Sequence, residues 1–479
     1  MKHNWITGTL ELSSKIRYGV TSKGVPLFRF VPYDKRFPPM AVGSSSRNLF
    51  YNIRVAVEPQ IGPTNSNELS KGFIVQNEIS ETDVLLGAYA YDSQKSFRKE
   101  PPQGSYELKP NIEHHLLIEE GFTFHIDPPG CKDADDSITI IKKEKDLYEI
   151  YINIADVDSW IPEDSPLDLS ARVKATSFYT PNGDAIAPML PRALSEKEAS
   201  LSANGRKPTL SLKCVWRPGE QPILFEWIPT LTECLMSFTY ESVMKANYPE
   251  IKVLQEFTAC LGANPDDSHT WIEALMVLYN SKAGELLKEH QVGILRKHGP
   301  PNPDKVSKLQ ELIKENPNLF FLALDSAEFC LPSDPDANHF GLDKSAYAYA
   351  SSPLRRYADI VNQRALKKIL FHSQSLTPSS SELISELNRR EKQAKAFQRD
   401  YFFSNVLVNR TSEIPVAQGY VVSKNLKKKK YEVFIYEWKR IVKVKTLQEF
   451  PEPETKISLT WYCDEQKPRW KEKIVFQLV

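Results

Sequence analysis

The segment densest in reactive side chains is His125-Ile126-Asp127-Pro128-Pro129-Gly130-Cys131-Lys132-Asp133-Ala134-Asp135-Asp136, where four aspartates fall within ten residues. Carboxylates crowded onto a Pro-Pro-Gly turn repel one another unless a cation sits among them. Hard divalent ions take oxygen ligands, and magnesium typically uses one or two carboxylates plus phosphate oxygens of a substrate. Two such ions about 4 Å apart activate water and steady the leaving oxygen of a phosphodiester. A solvated acidic loop is the plain alternative. A calcium loop is another, since Asp133, Asp135, Ser137 and Glu144 occupy positions one, three, five and twelve of an EF-hand register. Position six is then Ile138, where that loop needs glycine, and Ile138 and Ile140 alternate as a strand does. The calcium reading fails.

A second cluster is Ser351-Ser352-Pro353-Leu354-Arg355-Arg356-Tyr357-Ala358-Asp359. Two arginines at the head of a helix place guanidinium forks beside backbone N–H groups, and both favour phosphate oxygens. The competing reading is a helix-surface ion pair of Arg355 or Arg356 with Asp359. A third element, Leu295-Arg296-Lys297-His298-Gly299-Pro300-Pro301, is a basic loop stiffened by proline, suited to RNA contact or to packing. A fourth is a basic run, Lys424 with Lys427, Lys428, Lys429 and Lys430, followed by Tyr431, Tyr436, Trp438, Lys439, Arg440, Lys443 and Lys445. Cations for phosphates interleaved with rings for bases are what single-stranded nucleic acid binding uses. A solvated hairpin tip with aromatics in a barrel core fits the same pattern.

Elements must position these groups. Tyr148, Ile150, Ile152 and Ile154 alternate with Glu149, Tyr151 and Asn153, which predicts a half-buried strand. Helices are predicted around His269–His290, Lys305–Ile313, Tyr357–Phe371 and Ser379–Asn405. In the third, Ile360, Val361, Leu366 and Leu370 recur at near-helical spacing. Residues 1–112 read as short strands (Ile6–Leu12, Val25–Val31, Leu49–Val57) broken by turn clusters, hence a small barrel or sandwich. Residues 411–479 hold five strand-like runs, Val416–Val422, Tyr431–Trp438, Ile441–Lys445, Ile457–Tyr462 and Ile474–Val479, the count of an OB-type barrel. The fold class is α+β: a central domain at 113–410 flanked by all-β OB-type modules.

Composition sets outer limits. At 479 residues the chain holds roughly three domains. Lys+Arg and Asp+Glu are both 61, so no global charge argues for nucleic acid and any such footprint is local. Apolar runs such as Leu319 to Leu324 fall far short of the ~20 residues of a membrane helix, and Met1 to Leu12 has no signal pattern. Six scattered cysteines without a C-x-x-C pair exclude a cysteine-rich zinc site and point to a reduced, cytoplasmic setting.

At these residues the sequence resembles the ribonuclease II (RNB) family of 3′→5′ exoribonucleases. The matching motifs occur in the family's order. They are Ile126-Asp127 with Asp133-x-Asp135-Asp136, Ile154-Ala155-Asp156-Val157 with Trp160-Ile161, and Thr176–Pro181 with Pro188–Ser195. Leu295-Arg296-x-His298, His339-Phe340-Gly341-Leu342 and Ser352–Asp359 follow. The resemblance implies a magnesium-dependent hydrolase of single-stranded RNA that releases nucleoside 5′-monophosphates, a monomer without membrane attachment. It implies that Asp127, Asp133, Asp135 and Asp136 hold Mg2+ and orient water, with Asp135 the least replaceable. Tyr179 would stack on the 3′-terminal base, Arg355 would clamp the scissile phosphate, and Arg356 would assist. Arg296, His298, Lys428, Lys429 and Trp438 are expected to touch RNA. The flanking modules are similar to the family's cold-shock and S1 modules, although about 112 residues are few for two cold-shock modules. Gln363 and Gln398 depart from the family, which commonly has His and, in bacterial members, Glu there. A catalytically silent RNA-binding protein and a DNA phosphodiesterase are the alternatives.

Overall fold

Near the N-terminus, strands β1 (Ile6–Leu10), β2 (Leu27–Pro32), β3 (Met40–Gly43), β4 (Ile53–Pro59) and β5 (Ser70–Gln76) close into a barrel of order β1-β2-β3-β5-β4, with β4 returning antiparallel to β1. The computed structural model describes residues 5–60, 69–90, 108–144, 146–180, 183–202, 205–372, 376–409, 416–425, 430–445, 451–464, 467 and 470–479. Leu10, Phe28, Phe30, Val42, Val55 and Val57 fill the barrel. Five strands closed in this Greek-key order make an OB-type module.

The central sheet is built from β6 (Leu116–Leu117), β7 (Phe122–Asp127), β8 (Asp136–Lys142) and β9 (Tyr148–Ala155). After a small hairpin, β10 (Phe178–Tyr179) with β11 (Ala185–Ala187), come β12 (Arg206–Trp216), β13 (Leu224–Glu233) and β14 (Met236–Thr239). Its order is β14-β7-β8-β9-β12-β13-β6, antiparallel inside and parallel at both edges. The alternation read at Tyr148–Ile154 is β9, whose Ile150, Ile152 and Ile154 face the core. Against that core pack the helices Ser268–Glu289 and Tyr357–Leu370. The first buries Trp271, Leu275, Tyr279, Ala283 and Leu287, one residue per turn, which is how a helix lays a stripe on a sheet. A short pair, β15 (Leu295–Lys297) and β16 (Glu328–Cys330), lies apart from the main sheet.

In the tail, β17 (Val416–Asn425), β18 (Lys430–Ile435), β19 (Arg440–Lys445), β20 (Lys456–Cys463) and β21 (Ile474–Leu478) are all antiparallel, in the order β19-β18-β17-β20-β21. The five expected strands are present. Among the described residues they form an open sheet whose edges β19 and β21 do not pair, rather than a closed barrel. The Pro303–Glu315 helix lays Leu309 and Leu312 against Tyr420, Val422 and Phe434 of this sheet. Contacts group residues 1–98, 300–325 and 393–479 as one compact unit and 99–299 with 326–392 as another. No described helix is long and apolar enough to cross a membrane.

One buried knot fixes the Tyr357–Leu370 helix to the end of β9. Asp156, wholly buried, accepts hydrogen bonds from His115 Nε2 (2.9 Å), Lys367 Nζ (2.9 Å) and Ser159 Oγ (2.5 Å). Burial alone would raise its carboxyl pKa, but the His115 hydrogen bond and the Lys367 charge outweigh it and hold the group well below the usual carboxylate range. A depressed carboxyl contributes stability that is present above its unfolded pKa and is lost as pH falls through the folded one. Asp156→Asn is therefore expected to destabilise the protein by about 3 kcal/mol at neutral pH. Urea unfolding of the two proteins should show the gap narrowing below about pH 4. A gap that is absent at pH 7 would contradict the ledger of this knot.

Candidate active site

Strand β7 ends at Asp127, the chain turns through Pro128, Pro129 and Gly130, and β8 begins at Asp136. Gly130 has a φ of +82°, a conformation that side chains with a Cβ rarely adopt, so the turn needs glycine there. Ser200 pins the loop between, accepting from Ala134 N (3.1 Å) and donating to the Lys132 carbonyl (2.8 Å). The loop is thus a built turn, which is why four like charges stay close.

Each carboxylate has a different situation. Asp135 is buried, its Oδ1 accepting from Leu354 N (2.9 Å) and its Oδ2 from Arg355 Nε (3.0 Å). Burial pushes its pKa up to about 7, against the opposing pull of Arg355 and the Leu354 amide. Asp127 Oδ2 lies 2.9 Å from His125 Nδ1 on a buried imidazole. Asp133 accepts a hydrogen bond from the Tyr179 hydroxyl. Asp136 has a buried carboxylate oxygen without a hydrogen-bond partner. Burial first, and then the charges of Asp127 and Asp135, push its pKa well above the usual range.

That orphaned oxygen tests whether the residues suit a metal ion. The donor set is all oxygen, one Asp136 oxygen lacks a partner, and a hard divalent cation would supply what is missing. Among the described residues no three His, Cys, Asp or Glu side chains converge as a ready cage. Magnesium, which usually keeps several waters and binds through one or two carboxylates plus phosphate, does not require one.

The arginine turn meets this loop from 220 residues away. Arg355 bonds Asp135 through Nε and Ser352 Oγ through Nη2 (3.0 Å), while its side chain stays 43% exposed. Arg356 instead turns inward: Nη2 donates to the fully buried Asp359 (2.7 Å), and its guanidinium lies 3.9 Å over the Tyr349 ring. The ion-pair reading thus holds for Arg356 and not for Arg355. The β10–β11 hairpin docks on the same turn, with Ser177 N and Thr176 Oγ1 both donating to the Arg355 carbonyl (2.9 and 3.1 Å). This places Tyr179 beside Asp133.

Other expected contacts are not brought here. Arg296 is buried, donating to Glu391 (2.7 Å) and the Ala327 carbonyl (3.0 Å) between the Phe329 and Tyr349 rings. A guanidinium so enclosed has a packing role, which corrects its reading as an RNA contact. His298 is likewise buried, its ring 4.9 Å from that of His339. Trp438, half-buried, packs against Phe402, Phe403, Trp461 and Phe476 at 5.7–6.1 Å, and Tyr431 is buried, so both rings contribute to the apolar side of the tail sheet. Lys428 and Lys429 lie outside the described residues.

The sequence reading missed Tyr240. It follows β14, whose Thr239 pairs with Asp127, and burial followed by Asp136 and Asp127 pushes its phenol up to about 12. Only the parallel pairing of β14 with β7 places it there, and no local pattern signals that pairing. Gln363 is wholly buried and donates to the Ala155 carbonyl (2.8 Å), so the departure at this position sits beneath the end of β9.

Comparison with known proteins bears on this arrangement. The model of the RNB domain matches residues 117–248 and 236–372, more than half of the chain. Ribonuclease R of Helicobacter pylori is 28% identical over 350 residues, covering 58% of this chain and 53% of that protein. The exosome complex exonuclease RRP44 of Mus musculus is 24% identical over 468 residues, covering 77% and 48%. The chain spans about half the length of these curated relatives. Among solved structures, Mycoplasma genitalium RNase R in complex with ribose methylated single-stranded RNA aligns with a TM-score of 0.79 at 16% identity, covering 100% of this chain and 90% of that one. Yeast Ssd1, a pseudonuclease, aligns with 0.69 at 17%, covering 96% and 68%. Both likenesses are of fold.

Proposed function

This chain belongs to the RNB domain family, and on that premise we propose that it is a magnesium-dependent exoribonuclease that hydrolyses single-stranded RNA from its 3′ end to nucleoside 5′-monophosphates. The observation that carries the reading is the pairing of Asp135 with Arg355 beside the orphaned Asp136 oxygen, which joins an acidic loop to a partly exposed arginine side chain. A nuclease and a pseudonuclease share this fold; these side chains support the nuclease reading.

Asp127, Asp133, Asp135 and Asp136 would hold the ion, which when bound supplies charge neutralisation and an activated water. Asp135 fixes Arg355 through Nε, and the remaining N–H donors of that guanidinium serve the scissile phosphate. Their value lies in charge already in place where the transition state develops it. Water oxygen joins phosphorus, the bond to O3′ breaks, and the shortened RNA keeps a 3′-hydroxyl while the released nucleotide carries a 5′-phosphate. Tyr179, tethered through its hydroxyl to Asp133, offers its ring to the terminal base.

Incubation of single-stranded RNA with protein and excess magnesium is expected to yield nucleoside 5′-monophosphates by chromatography, a chelator to stop their release, and DNA of the same sequence to persist. Internal fragments or nucleoside 3′-phosphates would overturn the reading. The tail's contribution to binding is expected mainly from its lysines. Changing Lys427–Lys430 to alanine should lower the slope of log affinity against log salt by about 2–3, given roughly 0.7 per phosphate contact on single strands. An unchanged slope removes the run from the RNA path.

A further inference from the structure

The segment Ala346–Ser351, which leads into the arginine turn, is buried except for the half-buried Tyr349, yet forms no regular structure: Ala346, Tyr347, Ala348, Ala350 and Ser351 are each at most 7% exposed. Backbone groups buried this way need partners from elsewhere. One residue of a neighbouring helix supplies two of them and holds two side chains of the segment as well. Asn280, buried on the Ser268–Glu289 helix, accepts from Ala350 N at Oδ1 (2.9 Å) and donates through Nδ2 to Tyr347 Oη (3.2 Å) and Ser351 Oγ (3.0 Å). Its own carbonyl accepts from Ala348 N (3.2 Å). One turn along the same face, a Cβ on Gly284 would stand 2.7 Å from Tyr347 N and 2.8 Å from Tyr347 Cα. Glycine there lets helix and segment touch backbone to backbone.

From Asn280 the order passes directly to the reactive group. Ser351 is followed by Ser352, whose Oγ accepts from Arg355 Nη2 (3.0 Å) and whose N–H donates to Asp359 (2.7 Å). We propose that Asn280, with Gly284 giving the close approach, is a positioning residue for the arginine turn, setting the place of Arg355 without touching RNA. The proposal rests on the nuclease reading above for its effect on rate, and on the hydrogen bonds alone for its effect on the segment. A displacement of about 1 Å in a clamping group can lower a rate about 10²-fold.

The test compares Asn280→Leu and the milder Ser351→Ala in the full chain. Single-turnover RNA degradation is expected to slow about 10²-fold in the first and less in the second, with RNA affinity in chelator within about twofold of wild type. In an Arg355→Ala background Asn280→Leu should bring little further loss, because the two changes remove one function. Amide exchange should quicken in residues 347–356 and stay unchanged in the central sheet. Full multiplication of the two losses, or unchanged exchange at 347–356, overturns the proposal. Should Asn280→Leu fail to fold, Ser351→Ala and Tyr347→Phe give the same readouts. A wild-type chain that degrades no RNA defeats the nuclease reading, while the exchange pattern still decides whether Asn280 holds the segment.

Discussion

Asp136→Asn is expected to lower RNA hydrolysis by at least about 10³-fold while making the metal-free protein more stable. The two effects share one cause. Asp136 carries a buried oxygen without a partner and a carboxyl whose pKa burial, Asp127 and Asp135 push well upward. A raised folded pKa means that the ionised group disfavours the folded state at every pH above the unfolded value, and that the penalty disappears once pH falls below about 4. Asparagine keeps the shape and removes the charge, so Tm in chelator at pH 7 should rise by about 2–4 °C. Added magnesium should raise the Tm of wild type and leave the variant unmoved, since a ligand stabilises only the state that binds it. The loss in rate follows from removing a charge at the point where a metal ion would be held. Lower stability in the variant, or an undiminished magnesium shift, would show that the orphaned oxygen is not a cation's place.

The second large effect is at Arg355. Replacement by alanine is expected to slow hydrolysis by about 10²–10³-fold, the usual loss on removing one donor aimed at developing charge. Lysine should rescue little of it, because an ammonium cannot hold Asp135 through Nε and present a planar fork to phosphate together. RNA affinity measured in chelator should change much less than the rate. Arg356→Lys should behave differently: its guanidinium is committed to Asp359 and the Tyr349 ring, so the expected result is lowered thermal stability with a smaller loss in rate. Equal rate losses at the two arginines would contradict the division of labour between them.

These assignments differ in how far the sequence carried them. Ile360, Val361, Leu366 and Leu370 at near-helical spacing mark the Tyr357–Leu370 helix, alternation marks β9, and strand-like runs mark the five tail strands. Periodicity reports the local surface a segment must bury, and here burial followed it. The helices Pro166–Lys174 and Pro249–Cys260 were not foreseen, although each begins with proline in its first turn. Side-chain type proved a poor guide to facing. Arg296 and Trp438 have the chemistry of nucleic acid contacts, yet one is sealed between two rings and the other packed on the tail sheet. Tertiary partners decide such cases, and they lie far away in sequence. The Asp135–Arg355 pair spans 220 residues and Asn280 reaches Ser351 across 71, so neither could be read from spacing. Family resemblance pointed to the residues of the first pair. Nothing in the sequence pointed to Asn280, because an asparagine inside an amphipathic helix carries no signal until its partners are in place.

The acidic loop and the arginine turn are proposed to hydrolyse RNA together from its 3′ end. The most direct test uses a single-stranded RNA labelled at its 5′ end, with excess magnesium, resolved on a sequencing gel for wild type and Asp135→Asn. Wild type is expected to give a ladder that shortens with time to a small labelled product, and the variant to leave RNA intact although it still binds. RNA bound equally by both proteins and left intact by both would contradict it, and the protein would then be an RNA-binding member of its family without the chemistry.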